Sequence, residues 1–238
     1  MEAPLLTVRN LGVAFGGLTI FRNLSFEVKA GEVAAIIGPN GAGKTVLLKT
    51  LLGLVPYQGT ITWSGDIKLA YVPQKIDADR HLPINLVNLL EAKAHILKLR
   101  HKDITEASHV VGLTHEILKT PIGHLSGGQF QKALIAFALL GNPNMILFDE
   151  PTASLDELSE EHIYELMHEL QDERGITFIL VSHDLSVVYQ YADKVLCLNK
   201  EKICYGTPEE AFTPEVLTEL YGRPHKFFHH IRNHHHRE

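Results

Sequence analysis

The amino-acid sequence predicts an α/β fold: a mostly parallel sheet with helices packed on it, an N-terminal antiparallel β subdomain and an inserted α-helical subdomain. Three observations carry that prediction. The stretch IIGPNGAGKT, Ile36 to Thr45, sets three of the chain's 18 glycines between the strand-like EVAAII and the helix-like VLLKTLLGL. Short apolar runs such as MILFDE and ITFILVSH alternate with amphipathic stretches, as buried parallel strands alternate with crossover helices. Between roughly residues 75 and 140 that alternation lapses and the texture turns helical.

In chain order, LLTVRNLGVAF and LSFEVKAG read as strands on either side of the Gly16-Gly17 turn. GTITWSGDIKLAYVPQ reads as two more, broken at Ser64-Gly65-Asp66. From about Leu86 to Gly112, LVNLLEAKAHILKLRHK carries apolar residues at three- and four-residue steps, which predicts a helical run. A second helix opens near Ser126 and stops at Gly141-Asn142-Pro143. ELSEEHIYELMHELQDERG is an amphipathic helix closed by Gly175. SVVYQYA reads as a helix, KVLCLN and KICYGT as a hairpin, and TPEEAF and TPEVLTELYG as short helices. Cys197 and Cys204 could face each other across that hairpin, but they read first as small buried strand residues. Residues 1–222 are expected to form one domain, with the helical subdomain at roughly 75–140, and 223–238 a histidine-rich tail.

A chain of 238 residues, 45% hydrophobic and 21% charged, has the composition of a globular protein with a substantial core. Its net charge of −6 argues against nucleic acid as a partner, because a phosphate backbone calls for a basic surface. MEAPLLTVRN lacks the pattern of a signal peptide, and no apolar run approaches the ~20 residues that span a bilayer. Two cysteines cannot build a disulfide framework, so a reducing cytosol is the expected compartment.

The spacing Gly38-x-x-x-x-Gly43-Lys44-Thr45 is that of a phosphate-binding loop, which makes the core a P-loop NTPase. Backbone N–H groups from Gly38, Asn40, Gly41, Ala42, Gly43 and Val46 would surround phosphate oxygens at the positive end of a helix, with Pro39, which has no N–H to give, part of the same loop. Lys44 would reach the β- and γ-phosphates and Thr45 would offer its hydroxyl to Mg²⁺. Asp149, closing the buried run MILFDE, is placed to hold Mg²⁺, and Glu150 beside it to polarise an attacking water. Without the loop upstream, the same two acids would read as a solvated strand end. Ser126-Gly127-Gly128-Gln129 opens a helix and forms a further anion site or, by itself, an ordinary N-cap.

Taken together, the phosphate loop, MILFDE and HLSGGQFQK resemble ABC-type ATPases over essentially the whole chain. The resemblance implies ATP and Mg²⁺ as ligands, and a head-to-tail pair in which the Ser126 segment of one copy closes on ATP held by the other. Phe15 matches the aromatic that stacks on adenine, although an aromatic on a strand also reads as core. Gln74 in YVPQ matches the glutamine linking Mg²⁺ to the transport partner. Ser154-Leu155-Asp156 matches the loop that crosses the pair, and His183 in VSHD the histidine at the γ-phosphate; a core histidine is the other reading there. Val46 departs from the family by standing where a small hydroxyl residue is common, and Phe130 and Phe137 replace residues that are usually basic.

YVPQKIDADRHLPINL and the C-terminal VLCLNKEKICYGTPEEAFTPEVLTELYG resemble the ATP-binding subunits of zinc and manganese importers, and the tail GRPHKFFHHIRNHHHRE is especially similar to the zinc branch. Integral-membrane permease subunits and a separate substrate-binding protein are then implied partners, with this subunit on the cytoplasmic face of the membrane. A manganese or iron importer, a cytosolic ATPase of iron–sulfur cluster assembly, and an ABC protein acting on DNA or ribosomes are the alternatives. His225, His229, His230, His234, His235 and His236 read either as a solvated end or as Zn²⁺ ligands, since neutral imidazole suits zinc.

Overall fold

The computed structural model describes residues 3–74, 84–153, 155–199 and 203–222. Two sheets organise it. The first is antiparallel, in the order β2-β1-β4, from β1 (Leu6–Phe15), β2 (Leu18–Val28) and β4 (Gln58–Trp63). The second runs β5-β6-β7-β3-β8-β9, from β3 (Val33–Ile37), β5 (Leu69–Val72), β6 (Met145–Asp149), β7 (Thr177–Val181), β8 (Lys194–Leu198) and β9 (Ile203–Gly206). It is parallel throughout except for β9, which returns antiparallel to β8. The two strands read from GTITWSGDIKLAYVPQ therefore part company: β4 completes the first sheet and β5 edges the second.

Every residue of β3, β6 and β7 is buried, which is why these segments are continuously apolar rather than alternating. The period-2 pleat divides β6 and β7 between two cores. Ile146, Phe148, Phe178 and Leu180 pack on one face with α2 (Leu86–Ile96), α3 (His101–Val110), α5 (Gly127–Leu139) and α6 (Glu157–Arg174). Met145, Leu147, Ile179 and Val181 pack on the other, with α1 (Lys44–Leu51) and the antiparallel sheet. A third cluster joins Ala35, Ile37 and Val195 to α7 (Leu185–Tyr191), α8 (Pro208–Ala211) and α9 (Pro214–Tyr221).

The helical run expected from Leu86 to Gly112 is two helices. α2 ends with Lys98 in the left-handed conformation (φ 55°), while Leu99 N–H donates to Ala94 O at 2.8 Å and Lys98 N–H to His95 O at 3.1 Å. These are the two bonds of a Schellman stop, with lysine where glycine is usual. A short helix, α4 (His115–Leu118), follows, capped by Thr114 Oγ1, which accepts from Ile117 N–H.

Cys197 and Cys204 depart from the sequence expectation. They sit directly opposite each other in the β8–β9 ladder, with Cα atoms 4.8 Å apart, and are joined as a disulfide. Among the described residues no helix is long and apolar enough to cross a membrane.

β6, β7 and β3 are adjacent and parallel, so their C-terminal ends lie side by side. The loops that follow them carry Glu150, His183 and Gly38 to Gly43 respectively, the last leading into Lys44 and Thr45 at the start of α1. That common edge is where open α/β sheets bind ligands.

Candidate nucleotide site

The phosphate loop depends on glycine at two points of close approach. A Cβ on Gly38 would meet Leu198 O of β8 at 2.1 Å, so no other residue can leave β3 along this path. Gly43 is the N-cap of α1 with φ 99°, and a Cβ there would meet Ile20 Cγ2 at 2.6 Å. Having no side chain, Gly43 cannot cap α1 itself, which leaves the helix N-terminus for an external anion.

Lys44 lies back along this loop, its Nζ donating to Gly38 O at 2.9 Å and to Pro39 O at 3.4 Å. Burial lowers its pKa from the usual lysine value, and the charges of Glu150 and Asp149 oppose that shift. Val46 is half-buried against the antiparallel sheet's core, so the missing hydroxyl is replaced by packing.

Asp149 is 2% exposed at the end of β6 and both its oxygens are engaged. Thr45 Oγ1 donates to Oδ1 at 3.1 Å and Tyr71 OH to Oδ2 at 3.0 Å. Burial first, and then the Asp149 charge, push the Tyr71 phenol upward, which keeps it a donor. The hydroxyl of Thr45 and the Asp149 carboxylate are hard oxygen donors brought together beside the loop, the donor type Mg²⁺ takes.

Glu150 is the hub. Its φ of 48° is left-handed, held by its N–H donating to Val181 O at 3.0 Å. Its Oε2 accepts from Gln74 Nε2 at 2.7 Å and lies 3.7 Å from His183 Nδ1, an ion pair when that ring is protonated. Its Oε1 lies 3.9 Å from Lys44 Nζ. Three other chain segments thus converge on one carboxylate. His183 is 67% exposed, which rules out a core histidine.

Phe15 is 46% exposed and pairs across the hairpin tip with Leu18, also exposed, so it is not a core residue. Ser126 caps α5 and forms a capping box: its Oγ accepts from Gln129 N–H at 3.2 Å, while its own N–H donates to Gln129 Oε1 at 3.0 Å. Gly128 runs so close to α6 that a Cβ would meet Ser159 Oγ at 3.2 Å. The hollow of about 200 Å³ here is lined by Ser126, Gly128, Gln129, Lys132, Ser159 and His162 among others; Lys44, Asp149 and Glu150 do not line it. Within one chain this hollow is therefore separate from the phosphate loop and the two acids. Asp156 caps α6, its oxygens accepting from Ser159 N–H and Oγ, both at 2.9 Å; the bond from the Ser159 amide, then that from its hydroxyl, hold its pKa below the usual aspartate value.

The replaced basic positions have a physical account. The Lys93 ammonium of α2 lies 4.3 Å from the centre of the Phe137 ring and donates to Phe137 O, and its pKa is lowered by burial. Phe130 packs against the helical core. Tyr71 is the site residue that sequence reasoning missed. YVPQ drew attention only to Gln74, and the one available signal was a polar-tipped aromatic two residues before that motif's proline. Ser154, the segment from Lys75 to residue 83 and all six tail histidines lie outside the described residues.

The family model described as ABC transporter matches residues 21–153, more than half of the chain. The chain belongs to the ABC transporter family. Among relatives in this family, the zinc import ATP-binding protein ZnuC of Hydrogenovibrio crunogenus is 34% identical over 229 residues, covering 93% of this chain and 89% of its own. The zinc import ATP-binding protein ZnuC of Rickettsia prowazekii is 39% identical over 213 residues, covering 88% and 89% respectively. Of solved structures, an inward-facing conformation of a putative metal-chelate type ABC transporter superposes with a TM-score of 0.85 at 29% identity, covering 93% of this chain and 90% of its own. Family and fold agree with the resemblance read from the motifs.

Proposed function

We propose that this ABC subunit hydrolyses ATP to drive import of a divalent metal ion, zinc in particular, through a membrane permease. The observation that carries the ATPase reading is the convergence of Lys44, Gln74 and His183 on Glu150, at the sheet edge where the phosphate loop ends. In this reading Glu150 takes a proton from water as it attacks the γ-phosphate. Lys44 unfolds from its loop carbonyls onto phosphate oxygens, and His183 orients the attacking water and the γ-phosphate. Phe15 stacks on adenine. Thr45 and Asp149 would hold Mg²⁺, with Gln74 beside them; the ion's contribution is to neutralise charge on the transferred phosphate. Because the Ser126 half-site is built from other elements of the same chain, a second copy completes each site head to tail.

Zinc as cargo rests on the names of relatives that share this chain's length and a third or more of its residues. A hollow of about 310 Å³ in the helical region, floored by Ile104, Ser108 and Leu113 and rimmed by His101, His109 and His115, suits a short permease helix. Val87, close after the segment that follows Gln74, also lines it, which offers a route between transport partner and site. A separate substrate-binding protein would deliver the metal from outside. The test is zinc uptake in cells lacking this subunit. The parent chain should restore it and Lys44→Ala should not; restoration of manganese uptake alone would move the assignment to another metal.

A further inference from the structure

Strand β5 delivers a hydroxyl to the acid that ends β6. Tyr71 stands beside Leu147 in the parallel β5–β6 ladder, and Asp149 lies two residues further on, on the same face of the sheet. That face packs against α1, which opens with Lys44 and Thr45. Tyr71 OH donates to Asp149 Oδ2 at 3.0 Å, and Thr45 Oγ1 donates to Oδ1 at 3.1 Å. Asp149 is almost fully buried, so these two hydroxyls set which way its carboxylate faces.

The direction of both bonds follows from the groups themselves. A carboxylate only accepts, so each hydroxyl spends its one proton on Asp149. The carboxylate's own torsion is broad and roughly two-fold, and gives no preference between its oxygens. Tyr71 supplies that preference: with Oδ2 occupied, only Oδ1 is left to face Thr45. Asp149 then offers the site one oxygen, whether to an ion or to a water on it. One oxygen suits Mg²⁺, which demands near-ideal octahedral geometry and keeps several waters. Ca²⁺ has a looser shell and also takes carboxylates through both oxygens.

We propose that Tyr71 is a specificity-determining residue for the metal: its hydroxyl holds Asp149 to one oxygen and so favours Mg²⁺ over Ca²⁺. The inference rests on the reading of Thr45 and Asp149 as the residues that hold Mg²⁺. A test must leave β5 in place, because Gln74, three residues after Tyr71, reaches Glu150 from the same segment. Tyr71→Phe does so, keeping the ring packed on the core and removing only the hydroxyl. Asp149 is then free to turn both oxygens to the site.

Metal titration of the full chain, held in excess over ADP so that nothing turns over, decides the matter. Mn²⁺ binding is followed by the loss of its free electron paramagnetic resonance signal, and Mg²⁺ and Ca²⁺ by their displacement of Mn²⁺. Tyr71→Phe should bind Mn²⁺ and Mg²⁺ ~10-fold more weakly, as when a metal ligand loses its orienting partner, while Ca²⁺ should lose no more than about two-fold. ADP affinity without metal should stay within about two-fold, since the phosphate loop is untouched. Should Tyr71→Phe fail to fold, Tyr71→Met removes the same donor with a side chain that fills irregular space, and must show the same change in preference. Unchanged Mg²⁺ affinity, or equal losses for Mg²⁺ and Ca²⁺, would overturn the proposal. So would a metal-free ADP affinity that falls as far as the metal affinity. Asp149→Asn is titrated in parallel. If it binds Mg²⁺ as the parent does, the reading of the metal site fails and takes this inference with it; if it loses Mg²⁺ while Tyr71→Phe does not, only this inference fails.

Discussion

At the scale of the residue, the site is a set of side chains whose positions are fixed by burial and by one another. Glu150 adopts a left-handed backbone that costs an ordinary L-residue ~1–2 kcal/mol, offset by its amide bond to Val181 and by three neighbours on its carboxylate. Tyr164 shows the electrostatic side of burial. Removal from water raises its phenol to about 12. The sign of the consequence follows from proton counts. Between pH 10 and 12 the unfolded chain loses this proton while the folded chain keeps it, so this contribution is intact below pH 10 and is lost as pH rises through 12. The shift from the ordinary tyrosine value corresponds to about 3 kcal/mol. Denaturant titrations at pH 9 and pH 12 should therefore show a smaller drop in stability for Tyr164→Phe than for the parent. Equal drops would mean that Tyr164 ionises as freely in the folded chain as in the unfolded one.

At the scale of the element, the break between α2 and α3 gives a sharper test of local physics. Lys98 occupies the left-handed position of the Schellman stop that glycine occupies without a Cβ penalty. Lys98→Gly should stabilise the fold by roughly 1 kcal/mol, raising the melting temperature by about 2–4 °C. An unchanged or lower melting temperature would mean that the lysine side chain contributes more than its backbone costs. The same position explains what the sequence conceals. VAAII, MILFD and TFILV announce themselves because strands buried on both faces are continuously apolar. The stop at Lys98 does not, because a lysine in a helical run signals continuation. α4 is too short for a period to show. The bond from Tyr71 to Asp149 depends on β5 lying beside β6, and the pairing of Cys197 with Cys204 on hairpin register; neither is written in local composition. Within the site, the phosphate loop and the two acids were legible because each motif binds several residue types to fixed spacing. The exposure of Phe15 and the meeting of Gln74 with Glu150 required the fold.

At the scale of the whole molecule, the strand order brings together what the chain separates. β3, β7 and β6 are neighbours although long stretches of sequence lie between them, and their C-terminal ends deliver the phosphate loop, His183 and Glu150 to one edge. The Ser126 half-site is assembled elsewhere, from α5 and the start of α6, and it has no phosphate loop of its own. In the proposed head-to-tail pair each copy would supply what the other lacks. The measurement that tests this most directly is the mass in solution of the Glu150→Gln chain with ATP and Mg²⁺. The amide keeps the carboxylate's shape but cannot take a proton, so ATP should stay intact and hold two copies together. The expected mass is about twice the 26.6 kDa of one chain, returning to that of a single chain when ATP is removed. A monomer saturated with ATP, or ATP consumed at the parent rate, would contradict the account.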